Sequence, residues 1–95
     1  MLELLPNSWI VKIQQVSIRG TPDFLVCLSG VFVAIELKTD EGVLDALQKW
    51  NLECIALSGG IAMVMTPKNL GAQMNILREI AHEGRKHYKE NQVFY

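Results

Sequence analysis

Hydrophobic positions alternate with polar ones from Ser8 to Gln15. Trp9, Val11 and Ile13 share one face of that stretch, and Ile10 lies opposite with Lys12 and Gln14. Alternation of this kind predicts a strand, its buried face being that of Trp9. Asp23 to Leu28 and Val31 to Lys38 are runs rich in β-branched and aromatic residues, joined by Ser29-Gly30. Such runs separated by a turn dipeptide predict a β-hairpin. Ile61 to Thr66 is continuously apolar, the signature of a strand covered on both faces, and Pro67 stops it.

Between the strands the spacing becomes helical. Leu44, Leu47, Asn51, Cys54 and Ile55 predict one face of a helix over about 43–57, with Asp40 as its N-cap. Gln48 lies in the same arc, while Lys49 and Glu53 fall on the solvated side. Ser58-Gly59-Gly60 closes this helix. Leu70, Met74, Leu77, Ile80 and Ala81 form the stripe of a second helix over about 70–87. Arg78, Arg85, Lys86 and Lys89 gather on or after it. Residues 1–7 hold at most the stub of a helix. Val93-Phe94-Tyr95 is an apolar tail expected to dock on its own core or on a partner.

The order strand, strand, strand, helix, strand, helix predicts an α/β domain over residues 1–95, with its core in 9–67. A helix between the third and fourth strands makes them a parallel crossover pair, so the sheet is expected to be mixed, four-stranded and flanked by helices. Composition narrows the function classes. Of 95 residues, 49% are hydrophobic, which excludes a disordered linker. A net charge of −1 is not the footprint of a protein that coats nucleic acid through bulk charge. No segment has the length of a membrane span, and MLELLPNSW lacks the basic and apolar regions of a signal peptide. A cytoplasmic protein of a bacterial or phage-infected cell is expected. Cys27 and Cys54 read as small buried hydrophobes, and His82 and His87 lack zinc-ligand spacing.

Chemistry enters through the hairpin register. With Ser29 and Gly30 as the loop, Leu28 pairs with Val31 and Cys27 with Phe32. Counting outward sets Asp23 opposite Glu36. Opposed residues have Cβ atoms roughly 4.5–5.5 Å apart, so the two carboxylates repel unless something neutralises them. Lys38 shares a face with Glu36. An oxygen-liganded divalent cation resolves the repulsion, since Mg²⁺ commonly uses one or two carboxylates. Acids and lysines also end ordinary strands at a solvent edge, so the triplet Glu36-Leu37-Lys38 by itself is weakly specific.

Gly20-Thr21-Pro22-Asp23, Glu36-Leu37-Lys38 and Gln48, preceded by Arg19, together resemble the VRR-NUC family. That is the virus-type replication-repair nuclease branch of the PD-(D/E)XK phosphodiesterases. The resemblance spans roughly residues 9–67. It implies a restriction-endonuclease-like αβββαβ core, here with its first helix largely missing. It implies Asp23, Glu36 and the Leu37 carbonyl as ligands of Mg²⁺ or Mn²⁺. Lys38 would position the attacking water and steady the phosphate, with Gln48 in support. Glu3, the only acid before the first strand, is the candidate for the family's additional acid. Arg19, Lys12, Gly20 and Thr21 are the candidates for contact with DNA.

A metal-dependent DNA endonuclease is therefore the expected function. By analogy with single-domain members of the family, it would act in DNA repair on branched DNA such as four-way (Holliday) junctions, as a homodimer. The alternative is a catalytically idle module of the same fold that binds nucleic acid or serves oligomerisation.

Overall fold

The computed structural model describes residues 2–13, 19–84 and 92–95. The 3-10 turn Leu2–Leu4 precedes β1 (Ser8–Lys12), β2 (Phe24–Leu28) and β3 (Val31–Leu37). Then follow α1 (Ala46–Leu57), β4 (Ile61–Met65), α2 (Leu70–Glu83) and β5 (Val93–Phe94). The sheet has five strands in the order β1-β2-β3-β4-β5. β1, β2 and β3 are antiparallel neighbours, whereas β3–β4 and β4–β5 are parallel. The mixed α/β sheet is as expected, but it has five strands rather than four. The added strand is the apolar tail, which pairs Val93 with Ala62 and Phe94 with Met63.

The Ser29-Gly30 turn sets the hairpin register. Both residues have positive φ, 49° and 79°, the backbone of a tight turn whose twist matches its strands. Leu28 pairs with Val31 and Cys27 with Phe32, as the sequence predicts. The turn is also fastened to α2. The Ser29 hydroxyl donates to the Ala81 carbonyl, and Asn7 Nδ2 donates to the same oxygen at 3.3 Å.

Alternation along each strand divides the core between the sheet's faces. Val26, Leu28, Val33, Ile35, Met63 and Met65 lie under α2, against Met74, Leu77 and Ile80. Leu2 and Leu5 join that side. Ala62 and Val64 lie under α1, against Leu52 and Ala56, with Val93 alongside. Each large apolar side chain so buried contributes roughly 1.5–3 kcal/mol. β4 is buried along its whole length, as a strand covered on both faces must be.

Four sequence-based expectations shift, the first being Cys27, which is exposed rather than buried. In β1 it is Ile10, not Trp9, that faces the main core, because pairing with Val26 carries it to the α2 side; Trp9 is 69% exposed. α1 starts at Ala46, capped by Asp45 rather than Asp40. Its buried row is Leu52 and Ala56, while Leu47 is exposed. Asp40 serves elsewhere, its Oδ1 accepting the Lys68 N–H at 2.9 Å. α2 ends at Glu83, with Gly84 at φ 68° closing it. The last residues of the expected helix, with His87, Arg85, Lys86 and Lys89, lie outside the described residues.

Candidate active site

The last backbone pair of the hairpin is Phe24 with Ile35. One step further, Asp23 stands against Glu36 on the α1 side of the sheet. Burial comes from the fold: Glu36 lies in the central strand between β2 and β4, beside Val64, and is only 3% exposed. Asp23, at the open start of β2, is half-buried. Its Oδ2 accepts the Leu37 N–H at 2.7 Å. In a strand, a residue's N–H and C=O point toward the same neighbour. The Leu37 carbonyl therefore opens on the Asp23 side too. Lys38 is half-buried just beyond, its own N–H donating to the Met65 carbonyl at 2.9 Å.

Gln48 reaches this pair from α1. It stands one turn before Leu52 and two before Ala56, so it continues the helix's buried row over the strand end. Its Nε2 donates to Glu36 Oε1 at 3.2 Å. Glu36 Oε2 is buried and has no hydrogen-bond donor among the described residues. The carboxyl is pushed up to about 7, first by burial and then by the negative charge of Asp23 close by. Lys38 pulls the other way, and Asp45 adds a small push upward. A buried acid facing a second acid, with one oxygen unsatisfied, needs either a proton or a cation.

The donor set fits a hard divalent ion. Among the described residues no cluster of three or more His, Cys, Asp or Glu side chains could hold a metal. That argues against a closed zinc site. It leaves room for Mg²⁺, which takes one or two carboxylates and completes its shell with carbonyl, water and substrate oxygens. Asp23, Glu36 and the Leu37 carbonyl are such a set. The chain matches no family model, no curated protein and no solved structure.

The remaining candidates divide by sheet face. Arg19 is exposed in a turn with Gly20, which has φ 80° and sits against Leu47 and Asn51 of α1. A Cβ on Gly20 would lie 2.7 Å from Leu47 Cγ and from Asn51 Nδ2. This contact holds the Arg19–Thr21 segment on the same side as Glu36. Lys12 is not brought there. Its pairing with Phe24, which packs toward α2, points it to the other face. Glu3 also lies away from the pair, on the turn whose Leu2 packs into the α2-side core.

A hollow of about 640 Å³ lies toward the other end of α1, walled by Phe32, Asn51, Ile55 and Gly60. It includes none of the acids. The acid pair lies instead at the strand ends, with Asp23 half-buried and Glu36 only 3% exposed. Sequence reading missed Asp45, although Asp45-Ala46-Leu47-Gln48 carries the capping-box spacing in plain view.

Proposed function

We propose that this chain is a metal-dependent DNA phosphodiesterase of the VRR-NUC type, with the restriction-endonuclease-like arrangement of that family. The observation that carries the reading is Glu36. It is buried with an oxygen that lacks a donor among the described residues, it faces Asp23, and it is held by Gln48. A merely structural acid would have no reason to keep such a position. Asp23, Glu36 and the Leu37 carbonyl would hold Mg²⁺ or Mn²⁺. Bound there, the ion supplies charge neutralisation and Lewis-acid polarisation of a phosphate.

The chain's own residues supply the rest. Lys38, beside Glu36, orients a water toward the phosphorus and offers positive charge to the phosphate oxygens. Gln48 fixes the rotamer of Glu36. Arg19, exposed beside the site, meets a backbone phosphate, and backbone contacts of this kind position without reading sequence. Local cations are needed because the net charge is −1. Branched DNA as substrate, and a role in repair, come from the family resemblance.

A two-fold homodimer belongs to the same proposal. Its surface is not the tail, because Val93 and Phe94 pair with β4. The supporting feature is an apolar row on the α1 face. Pairing lines up Trp9, Cys27 and Phe32 across β1, β2 and β3, and all are exposed.

Cleavage of single-stranded, duplex, flap and four-way DNA with Mg²⁺, Mn²⁺ or Ca²⁺ tests the reading. Mg²⁺ and Mn²⁺ should support cutting, and Ca²⁺ should bind without doing so well, its shell being larger and looser. No cutting of any substrate under these conditions overturns it. A gel shift without cutting would instead mark a binding module.

A further inference from the structure

Gln48 is held from both ends. The N-cap residue Asp45 has φ −74° and ψ 168°, extended backbone just before α1. Its Oδ1 accepts the Gln48 backbone N–H at 2.8 Å. Its own backbone N–H donates to Gln48 Oε1 at 3.1 Å. The Gln48 amide has an oxygen on one side and an NH₂ on the other. With the oxygen committed to Asp45, the NH₂ is the end left for Glu36, and it donates there at 3.2 Å. Rotated by half a turn, the amide would set its oxygen against the carboxylate and its NH₂ against the Asp45 N–H. Both contacts would then be repulsive.

We propose that Asp45 is a positioning residue. Its capping box with Gln48 selects the amide orientation that grips Glu36 Oε1 and leaves Oε2 without a donor among the described residues. The start of α1 and the end of β3 thereby form one hydrogen-bonded unit, and a helix cap sets the geometry of a ligand. The effect on catalysis rests on the nuclease reading; the coupling of cap, amide and carboxylate does not. Partners that orient a metal ligand from behind typically change metal affinity or activity by 10–100-fold when removed, so an effect of about tenfold or more is expected.

The test uses the full chain, first without metal. The side-chain amide of Gln48 is identified in a nitrogen-15 NMR spectrum by its loss in Gln48→Ala. In wild type and in Asp45→Asn, which keeps a capping oxygen but not the charge, that amide should be rigid. Asp45→Ala removes the side-chain half of the box. Asp45→Pro also removes the backbone donor, at a φ that a proline ring accepts. The amide order parameter should fall toward flexible values, below about 0.6, in Asp45→Pro, and by a smaller but measurable amount in Asp45→Ala, which keeps the backbone donor but loosens the cap that places it. Manganese titration by calorimetry gives the second readout. Asp45→Pro should weaken binding about as much as Gln48→Ala, and the double variant should be no worse than Gln48→Ala alone, because residues in one network do not add.

A Gln48 amide that stays rigid in Asp45→Pro overturns the proposal. So do additive losses in the double variant. If Asp45→Pro does not fold, the contrast of Asp45→Ala with Asp45→Asn decides by the same readouts. Failure of the wild type to cut DNA would remove the nuclease reading alone, with amide order and manganese affinity still deciding this one.

Discussion

Asp23 and Glu36 face each other across the open end of the hairpin, one carboxylate anchored by a backbone amide and the other not. Asp23 Oδ2 takes the Leu37 N–H at 2.7 Å, whereas Glu36 Oε2 has no donor among the described residues. Without a cation, Glu36 is therefore the member that keeps a proton, and its carboxyl is pushed up to about 7. Stability should follow. Unfolded, the group titrates near its ordinary 4.5. Between that value and about 7 the folded chain holds a proton that the unfolded chain has released. The contribution is full below the lower value and is lost as pH rises through the upper one. Metal-free protein should melt at a lower temperature at pH 8 than at pH 5.5. Glu36→Gln should flatten that slope, and Mg²⁺ should raise the melting temperature at pH 8 by binding the folded state. A wild-type profile flat across this window, and unchanged in Glu36→Gln, would show that the pair carries no such strain.

Cleavage should separate the roles of Asp23 and Lys38. Asp23→Asn keeps an oxygen for the Leu37 amide but removes a charge, so it should weaken Mn²⁺ binding and abolish cutting with the fold intact. Lys38→Ala leaves both carboxylates in place. It should lower the cleavage rate roughly 10²–10⁴-fold, the usual size of a lost proton-handling or charge-stabilising group. Its Mn²⁺ affinity should change little. Calorimetry beside plasmid nicking reads both. Full nicking by either variant would sink the assigned roles.

How far the sequence revealed this arrangement depended on whether a position answers to local or distant chemistry. The Ser29-Gly30 turn fixes a register by its own backbone, so the facing of Asp23 and Glu36 was legible by counting. Gln48 was legible because a polar residue in an apolar arc needs a partner, and Glu36 is that partner. The burial of Trp9 was misread because alternation shows that a strand has two faces but not which one a helix covers. The choice was made by α2 lying over Ile10. The fifth strand was hidden for a related reason. Two residues, Val93 and Phe94, show no periodicity, and they are held by pairing with β4 and by Gln73, 21 residues before Phe94. Charge alone made Lys12 a candidate contact, although its place in β1 turns it to the face opposite Glu36.

Gly20 should be far less replaceable than Gly30, though both have φ near 80°. Alanine pays for the left-handed backbone at either site. At Gly30 the new Cβ meets nothing within 4 Å. At Gly20 it meets Leu47 Cγ at 2.7 Å and the Leu47 backbone at 2.9 Å. Gly30→Ala should cost about 1 kcal/mol from backbone strain. Gly20→Ala adds overpacking and should cost about 3 kcal/mol in all. That difference corresponds to a melting temperature lower by roughly 10 °C in a domain of this size. Gly20→Ala should also impair DNA cleavage more than Gly30→Ala, because it displaces the turn carrying Arg19. Equal melting temperatures for the two variants would mean that the turn does not rest on α1.

Gln73 should hold the edge of the sheet. It is 3% exposed, and its Nε2 donates to the Val64 carbonyl and to the Phe94 carbonyl, both at 3.0 Å. One side-chain nitrogen thus ties α2 to β4 and to β5. Gln73→Leu has similar volume but no donor, so the bond to the Phe94 carbonyl is lost, while the Val64 carbonyl keeps the Asn69 Nδ2 donor at 2.9 Å; the cost should be about 1 kcal/mol. The two-residue β5 is the part that can leave, since only Val93 and Phe94 pair with β4. Its departure would expose β4 as an edge of consecutive apolar residues, a template for pairing with other chains. Gln73→Leu should therefore speed hydrogen exchange at Phe94 and Tyr95 well before it affects Val33 or Ile35, and should promote aggregation at high concentration. Deleting 93–95 should give the same aggregation with Gln73 intact. If exchange at Phe94 stays slow in Gln73→Leu, strand pairing alone holds the tail and the glutamine clamp is not needed.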